Sequence, residues 1–329
     1  KIFSPVSIWN GIKEGTLVNR VDSRVSSGLL AYFGLKLAYN YLLSPLYQFY
    51  KYFIRPGKNL YKRYSGGWAV VTGASDGIGL GFCQVLAEQG FNIVMISRNK
   101  EKLDKAAKEI KKTNSNIEIK TIGYNFNRPY KKEEYRVIYD ELDKLDISML
   151  FNNVGYSNNE KPYHNVDEGE IISTYQLNII PSVHLSHYCL KRFVERKDKK
   201  SALVTVASLA YMISAPNNHT YSATKIFNNL FMDSLSQTSD YRDIDFLTLN
   251  TANVKSNMNE GKAMLTESPY SYAKQALSHL GYSKKEFGCW KHELTAFMIK
   301  NPLFLPILIA DSKKGNKVGS MEKQTPFNN

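Results

Sequence analysis

The chain has 329 residues and a mass of 37.5 kDa, enough for one large α/β domain with appendages. Lys and Arg total 43 against 30 Asp and Glu, a net charge of +13, and the hydrophobic content of 43% is that of a globular protein. Cys83, Cys189 and Cys289 stand far apart with no CxxC pair, which argues against a disulfide framework or zinc site, and no nucleic-acid motif accompanies the basic charge, so DNA and RNA are set aside.

Residues 1–27 read as a polar arm. Residues 28–54 are apolar and tyrosine-rich, but Lys36, Asn40 and Pro45 interrupt them. A clean membrane span needs about 20 mostly apolar residues, and a lysine in hydrocarbon is costly unless it reaches a head group. The expectation is an interfacial or shallowly inserted anchor with its tyrosines at the boundary. A single kinked span and a helix pair packed on the protein itself are the alternatives. Arg55-Pro56-Gly57 is a natural break.

Apolar stretches at 68–72, 91–97, 117–123, 147–152, 201–207 and 244–250 alternate with helical patterns. Such alternation predicts an α/β fold, a doubly wound parallel sheet with right-handed crossovers. Strand 68–71 runs into Thr72-Gly73-Ala74-Ser75-Asp76-Gly77-Ile78-Gly79, and a helix carrying Phe82, Val85 and Leu86 follows. Glycines at Gly73, Gly77 and Gly79 let backbone approach a pyrophosphate, whose charge a helix N-terminus favours. Ser75, Asp76 and Ile78 belong to the same turn. The second strand ends at Ser97-Arg98, with Arg98 19 residues beyond Gly79. An NAD site would place an acid near there. Arginine suits a 2′-phosphate instead, so NADP(H) is expected over NAD(H).

Ser208 closes the run Ala202 to Ala207 and lies 13 residues before Tyr221, and Lys225 follows Tyr221 by four. That spacing puts Tyr221 and Lys225 on one helix face, one turn apart. An ammonium beside a phenol is expected to lower the phenol's pKa and make it a proton donor near neutral pH. A serine hydroxyl at the adjoining strand end could hold a carbonyl oxygen. The chemistry indicated is carbonyl reduction or its reverse.

Thr72–Gly79, Asn152-Asn153-Val154-Gly155, Asn178, Ser208, Tyr221 and Lys225 together resemble the short-chain dehydrogenase/reductases over roughly residues 64–260. The resemblance implies Tyr221 as general acid and Lys225 as the group that lowers its pKa and holds the nicotinamide ribose. It implies Ser208 orienting the substrate carbonyl and Asn178 holding a water in a proton relay. Asn152 and Gly155 would line the adenosine half of the cofactor site. Two stretches depart from the pattern. Asn125 stands where an aspartate usually meets the adenine. Thr251-Ala252 replaces a Pro-Gly turn, leaving Ser256 as the nearest hydroxyl to the nicotinamide amide.

Trp68–Gly79, Ile96-Ser97-Arg98, Tyr221–Lys225 and the region Tyr272–His292 with Asn301-Pro302 are similar to the membrane-bound very-long-chain 3-oxoacyl-CoA reductases, the group that includes 17β-hydroxysteroid dehydrogenase type 12. That resemblance implies NADPH and a fatty 3-oxoacyl-CoA, or another lipid ketone such as a steroid. It divides the chain into a membrane-associating segment and linker at 28–63, an NADP-binding Rossmann catalytic domain at 64–258, a substrate loop and C-terminal helical extension at 259–310, and a polar tail at 311–329. The leading expectation is a membrane-associated NADPH-dependent reductase of fatty-acid elongation. The rival, motivated by the two departures, is an accessory subunit of a membrane complex that keeps its nucleotide with little turnover. A hydroxysteroid dehydrogenase is the third reading. A homodimer is the other assembly expected. The endoplasmic reticulum membrane is the expected location and a mitochondrial membrane the alternative, since the chain starts at Lys1 without a signal-peptide core and its tail lacks a KDEL-type sequence. A second apolar patch, 296–299 and 303–310, reads first as core. The basic runs 100–112 and 191–200 read as solvated helix faces that would favour anionic lipid and phosphates. His184 and His187, without a third ligand nearby, read as ordinary helix residues rather than a metal pair.

Overall fold

The computed structural model describes residues 23–157, 161–212, 217–256, 265–301 and 304. The chain divides into two units at Arg55/Pro56, the break that the Arg-Pro-Gly sequence predicts.

The first unit is helical from Ser23 to Ile54. Helix α1 (Ser23–Ala38) passes through a π turn (Tyr39–Leu43) into α2 (Ser44–Phe49), and a second π turn (Tyr50–Ile54) ends it. Prolines account for both π turns. Pro45 has no N–H to continue the ordinary ladder, and Ser44 N–H reaches back to Tyr39 O. Before Pro56, Arg55 N–H likewise bonds Tyr50 O. The apolar side chains along this unit are exposed, Leu30 and Leu35 by 73% and 72%. Among the described residues, no helix is long and apolar enough to cross a membrane.

In the second unit a short helix α3 (Leu60–Arg63) leads into a seven-stranded parallel sheet of order β3-β2-β1-β4-β5-β6-β7. The strands are β1 (Trp68–Thr72), β2 (Asn92–Ser97), β3 (Ile119–Gly123), β4 (Ile147–Asn152), β5 (Ser201–Val206), β6 (Ile244–Leu249) and the two-residue β7 (Lys285–Glu286). The first six match the apolar runs. β7 carries no apolar run, and its pairing with Thr248 and Leu249 is a tertiary event.

Successive strand residues point to opposite faces, so each face receives its own core. Ala69, Val71, Met95, Phe151 and Val204 pack beneath α4 (Gly77–Glu88), α5 (Lys100–Thr113) and α10 (Pro269–Leu277). Val70, Val94, Leu150 and Leu203 pack beneath α6 (Lys132–Leu142), α8 (Ile180–Glu195) and α9 (His219–Leu235). The remaining helices are α7 (Glu168–Asn178) and α11 (Trp290–Lys300).

Helix α10, within the expected substrate loop and helical extension at 259–310, packs into the core. Its Tyr272, Ala273 and Ala276 are wholly buried, and a side chain at Gly81 of α4 would overlap the Pro269 carbonyl. Residues 259–264 at the start of that expected segment lie outside the described residues, as do 303 and 305–310 of the second apolar patch. Of that patch, Ala296 and Met298 are buried. His184 stacks flat on Tyr130, ring centroids 3.5 Å apart. The three cysteines are buried free thiols.

Candidate active site

β1 and β4 are sheet neighbours whose following helices lie on opposite faces, so a cleft opens beyond their C-terminal ends. Thr72-Gly73 and Asn152-Asn153-Val154 sit at that edge. The Thr72 hydroxyl accepts the backbone N–H groups of Asn153 and Val154 at 2.9 and 3.0 Å and donates to Phe151 O at 3.2 Å. Asn153 Nδ2 donates to the carbonyls of Thr72 and Gly73 at 2.9 and 3.3 Å. The glycine turn is thereby pinned to the neighbouring strand. Thr72→Val leaves two partly buried amides without acceptors. It should cost about 2–4 kcal/mol, measured by denaturant unfolding.

The turn fits a pyrophosphate. Gly73 and Gly77 have φ of 64° and 56°, the left-handed region that favours glycine. At Gly79 a Cβ would overlap Gly73 O, so only glycine lets α4 start this close to the strand. Asp76 precedes α4 without capping it by its side chain, leaving the first-turn N–H groups of the helix for an anion. Ser256, on the loop after β6, lies against Gly77: a Cβ there would meet Ser256 Cβ at 2.9 Å. Ser75 and Ser97 join hydroxyls at 2.9 Å, linking the turn to the end of β2. Arg98 follows, exposed at the rim. Asn125 is half-buried, and its side-chain oxygen accepts from Asn127 N–H at 3.0 Å, an Asx turn that shapes the loop after β3.

Two residues implied as adenosine-lining differ in placement. The Asn152 side chain turns inward and donates to Ser186 at 2.9 Å and Thr205 at 3.4 Å. It fastens β4 to α8 and β5, so a cofactor contact from this residue falls to its backbone. Gly155 lies beside Asn178 and Lys225 instead: a Cβ there would meet Asn178 Oδ1 at 3.0 Å and Lys225 Nζ at 3.5 Å.

Asn178 ends α7 where the helix breaks before Pro181. Its side chain accepts from Tyr156 N–H at 2.7 Å and donates to Tyr156 O and Thr224 at 2.9 and 3.0 Å. Its carbonyl accepts from Asn228 at 3.1 Å. Asn178 thus pins the segment after β4 onto α9. Ser208 follows β5 and accepts from Ala210 N–H at 3.1 Å, and its hydroxyl stands near enough to the Tyr221 phenol to lower its pKa. Lys225 Nζ donates to Val206 O at 3.1 Å and lies 5.4 Å from the Tyr221 ring centre. Ser208, Tyr221, Lys225, Asn178 and Gly155 therefore form one cluster.

Its electrostatics differ from the sequence expectation. Burial pushes the Tyr221 phenol above its ordinary value, and the Ser208 hydroxyl only partly offsets this. Burial also brings the Lys225 ammonium down to about 8. Desolvation is the leading cause of both shifts. Tyr221 is consequently a protonated phenol at neutral pH, the form a proton donor needs.

The replaced Pro-Gly turn is well tied. Thr251 N–H donates to Leu249 O at 3.1 Å, its hydroxyl to Ala207 O at 3.3 Å, and its carbonyl accepts Leu209 N–H at 2.8 Å. Bonds on both sides of Ser208 depend on it.

A family model described as short chain dehydrogenase matches residues 67–266. The chain belongs to the short-chain dehydrogenase family. This short-chain dehydrogenase is 31% identical to a very-long-chain 3-oxoacyl-CoA reductase of Coccidioides immitis over 78% of this chain and 76% of that protein. It is 34% identical to the human protein named inactive hydroxysteroid dehydrogenase-like protein 1, over 72% of each. The structure of a 3-ketoacyl-(acyl-carrier-protein) reductase from Brucella melitensis, complexed with NADH, superposes with a TM-score of 0.58. At 19% identity, over 67% of this chain and 92% of that one, it speaks to fold alone. The family is one of oxidoreductases acting on hydroxyl and carbonyl groups, and this dehydrogenase carries its Ser208, Tyr221 and Lys225 in contact range. Asn153, Asn228 and Thr72 were not singled out from the sequence as site residues. The first two are amides chosen by buried partners rather than by any periodicity.

Proposed function

We propose that the protein is a membrane-associated, NADPH-dependent reductase of long-chain 3-oxoacyl-CoA. The observation that carries this is the assembled group: a protonated Tyr221 hydroxyl beside Ser208, with Lys225 behind it, at the cleft edge of the sheet. The name of the Coccidioides immitis relative at 31% identity supports the substrate class. NADPH would supply a hydride to the 3-carbonyl carbon. Tyr221 gives its proton to the carbonyl oxygen, Ser208 holds that oxygen by a hydrogen bond, and the product is the 3-hydroxyacyl-CoA. The Lys225 ammonium, largely charged at pH 7, then stabilises the phenolate left behind.

The deciding experiment is NADPH oxidation by detergent-solubilised protein given a long-chain 3-oxoacyl-CoA, a steroid ketone, or neither. Turnover with the acyl-CoA supports the reading, and turnover only with the steroid replaces its substrate. No turnover despite bound nucleotide supports the accessory-subunit reading, which the human relative named inactive and the Asn125 and Thr251-Ala252 departures favour.

The preference for NADPH rests on Ser97-Arg98 and the absence of an acid there. Arg98→Asp should lower the NADPH-to-NADH ratio of kcat/KM by about tenfold or more. An unchanged ratio would remove Arg98 from the argument. Membrane association rests on the exposed apolar and tyrosine side chains of 25–54, which suit the boundary between head groups and hydrocarbon. We place that membrane at the endoplasmic reticulum by likeness to the membrane-bound reductases.

A further inference from the structure

The loop after β6 runs from Thr251 beside Ser208 to Ser256 against Gly77, so it bridges the catalytic serine and the pyrophosphate turn. What holds its middle is a histidine from α11. His292 is wholly buried. Ala252 N–H donates to its Nδ1 at 3.1 Å, and its Nε2 lies 3.1 Å from Asn253 O. Phe287 O is 3.3 Å from Nδ1. With the proton on Nε2, the ring accepts from Ala252 and donates to Asn253, satisfying both loop groups. With the proton on Nδ1 it serves Phe287 alone and orphans the Ala252 N–H. Burial holds the imidazole down to about 4, so it is neutral at physiological pH.

The flanking contacts extend the clamp. Lys255 N–H donates to Glu267 O, and Glu267 N–H to Asn253 O, each at 3.0 Å. Lys291 pairs with the Glu267 carboxylate at 3.4 Å, and the Tyr272 ring lies 5.0 Å from the imidazole. A proline at 251, as in the usual Pro-Gly turn, would bring no N–H or hydroxyl. Here Thr251 and Ala252 supply both, and His292 takes the second N–H.

We propose that His292 is a positioning residue for the nucleotide site: as the neutral Nε2–H tautomer it clamps Ala252 and Asn253 and so holds Ser256 over Gly77, where the loop closes on a bound nicotinamide dinucleotide. This rests on the nucleotide-binding part of the function proposed above. His292 does not reach the reacting atoms and acts through the loop.

The test compares the full chain with His292→Leu, His292→Asn and His292→Gln in detergent. Amide hydrogen exchange is followed over 250–256, NADPH affinity by nicotinamide fluorescence, and melting temperature alongside. The Leu variant should exchange the Ala252 amide about tenfold faster and bind NADPH about tenfold more weakly. The Asn variant, whose side-chain oxygen can replace Nδ1 as acceptor, should recover protection and part of the affinity. The Gln variant, which reaches only the Nε2 position, should not. If the Leu variant fails to fold, the Asn and Gln pair carries the comparison. Affinity unchanged in the Leu and Gln variants, or affinity that follows melting temperature whatever the acceptor, would overturn the clamp. A wild-type protein that binds neither NADPH nor NADH would defeat the proposed function instead, and the exchange rates at Ala252 would still decide the clamp.

Discussion

Tyr221→Phe should lower NADPH-dependent ketone turnover by about a thousandfold while leaving nucleotide affinity within about twofold of wild type. The substitution removes one oxygen. Ser208 keeps its bond from Ala210 N–H, Lys225 keeps Val206 O, and Asn178 keeps Tyr156 and Thr224, so the surroundings have no cause to move. What is lost is the proton for the developing alkoxide. The raised phenol pKa sharpens the expectation, because a phenol whose pKa burial lifts above its ordinary value is fully protonated at pH 7 and donates in every turnover. The reverse reaction needs the phenolate and should improve as pH rises. Stopped-flow NADPH oxidation with wild type and variant side by side checks this. Equal turnover would move the proton donor elsewhere.

The same cluster shows what sequence spacing conveys. The Tyr221-x-x-x-Lys225 pair, the Ser208 strand end and the glycine turn are each a local pattern repeated through one element, and all three appear where spacing places them. Most of the six longer strands are legible for the same reason, since a buried parallel strand is a largely apolar run, while the partly exposed β3 shows only through Ile119 and Ile122. Electrostatics are not local. That Tyr221 rises and Lys225 falls depends on how deeply α9 sits against β5, which no spacing encodes. The inward turn of Asn152 depends likewise on Ser186 and Thr205, residues 34 and 53 positions away. His292 is the extreme case, an isolated histidine whose partners are backbone groups 39 and 40 residues distant. The packing of α10 is not local either: its apolar face suits a lid or a core, and the close approach of Pro269 to Gly81 on the facing helix is what sets it against α4.

Lys225→Met should make the protein more stable at neutral pH and much less active. The Lys225 side chain is 4% exposed, and its pKa falls from 10.5 to about 8. That drop corresponds to roughly 3 kcal/mol of cost for carrying the charge inside the fold. Below pH about 8 both the folded and unfolded chains hold the proton, so the cost is present in full. Between about 8 and 10.5 the unfolded chain holds it and the folded chain does not, so wild-type stability climbs with pH through that window. Methionine has a similar reach and no charge. It forfeits the bond to Val206 O, about 1 kcal/mol, leaving a net gain of about 2 kcal/mol at pH 7 that disappears as pH approaches 10. Turnover should fall about a hundredfold, because no cation remains to stabilise the Tyr221 phenolate after proton transfer. Denaturant unfolding of both proteins at pH 7 and pH 10, with activity at pH 7, measures all of this. A variant less stable than wild type at both pH values would mean that the Lys225–Val206 bond, rather than the buried charge, dominates the energetics of the site.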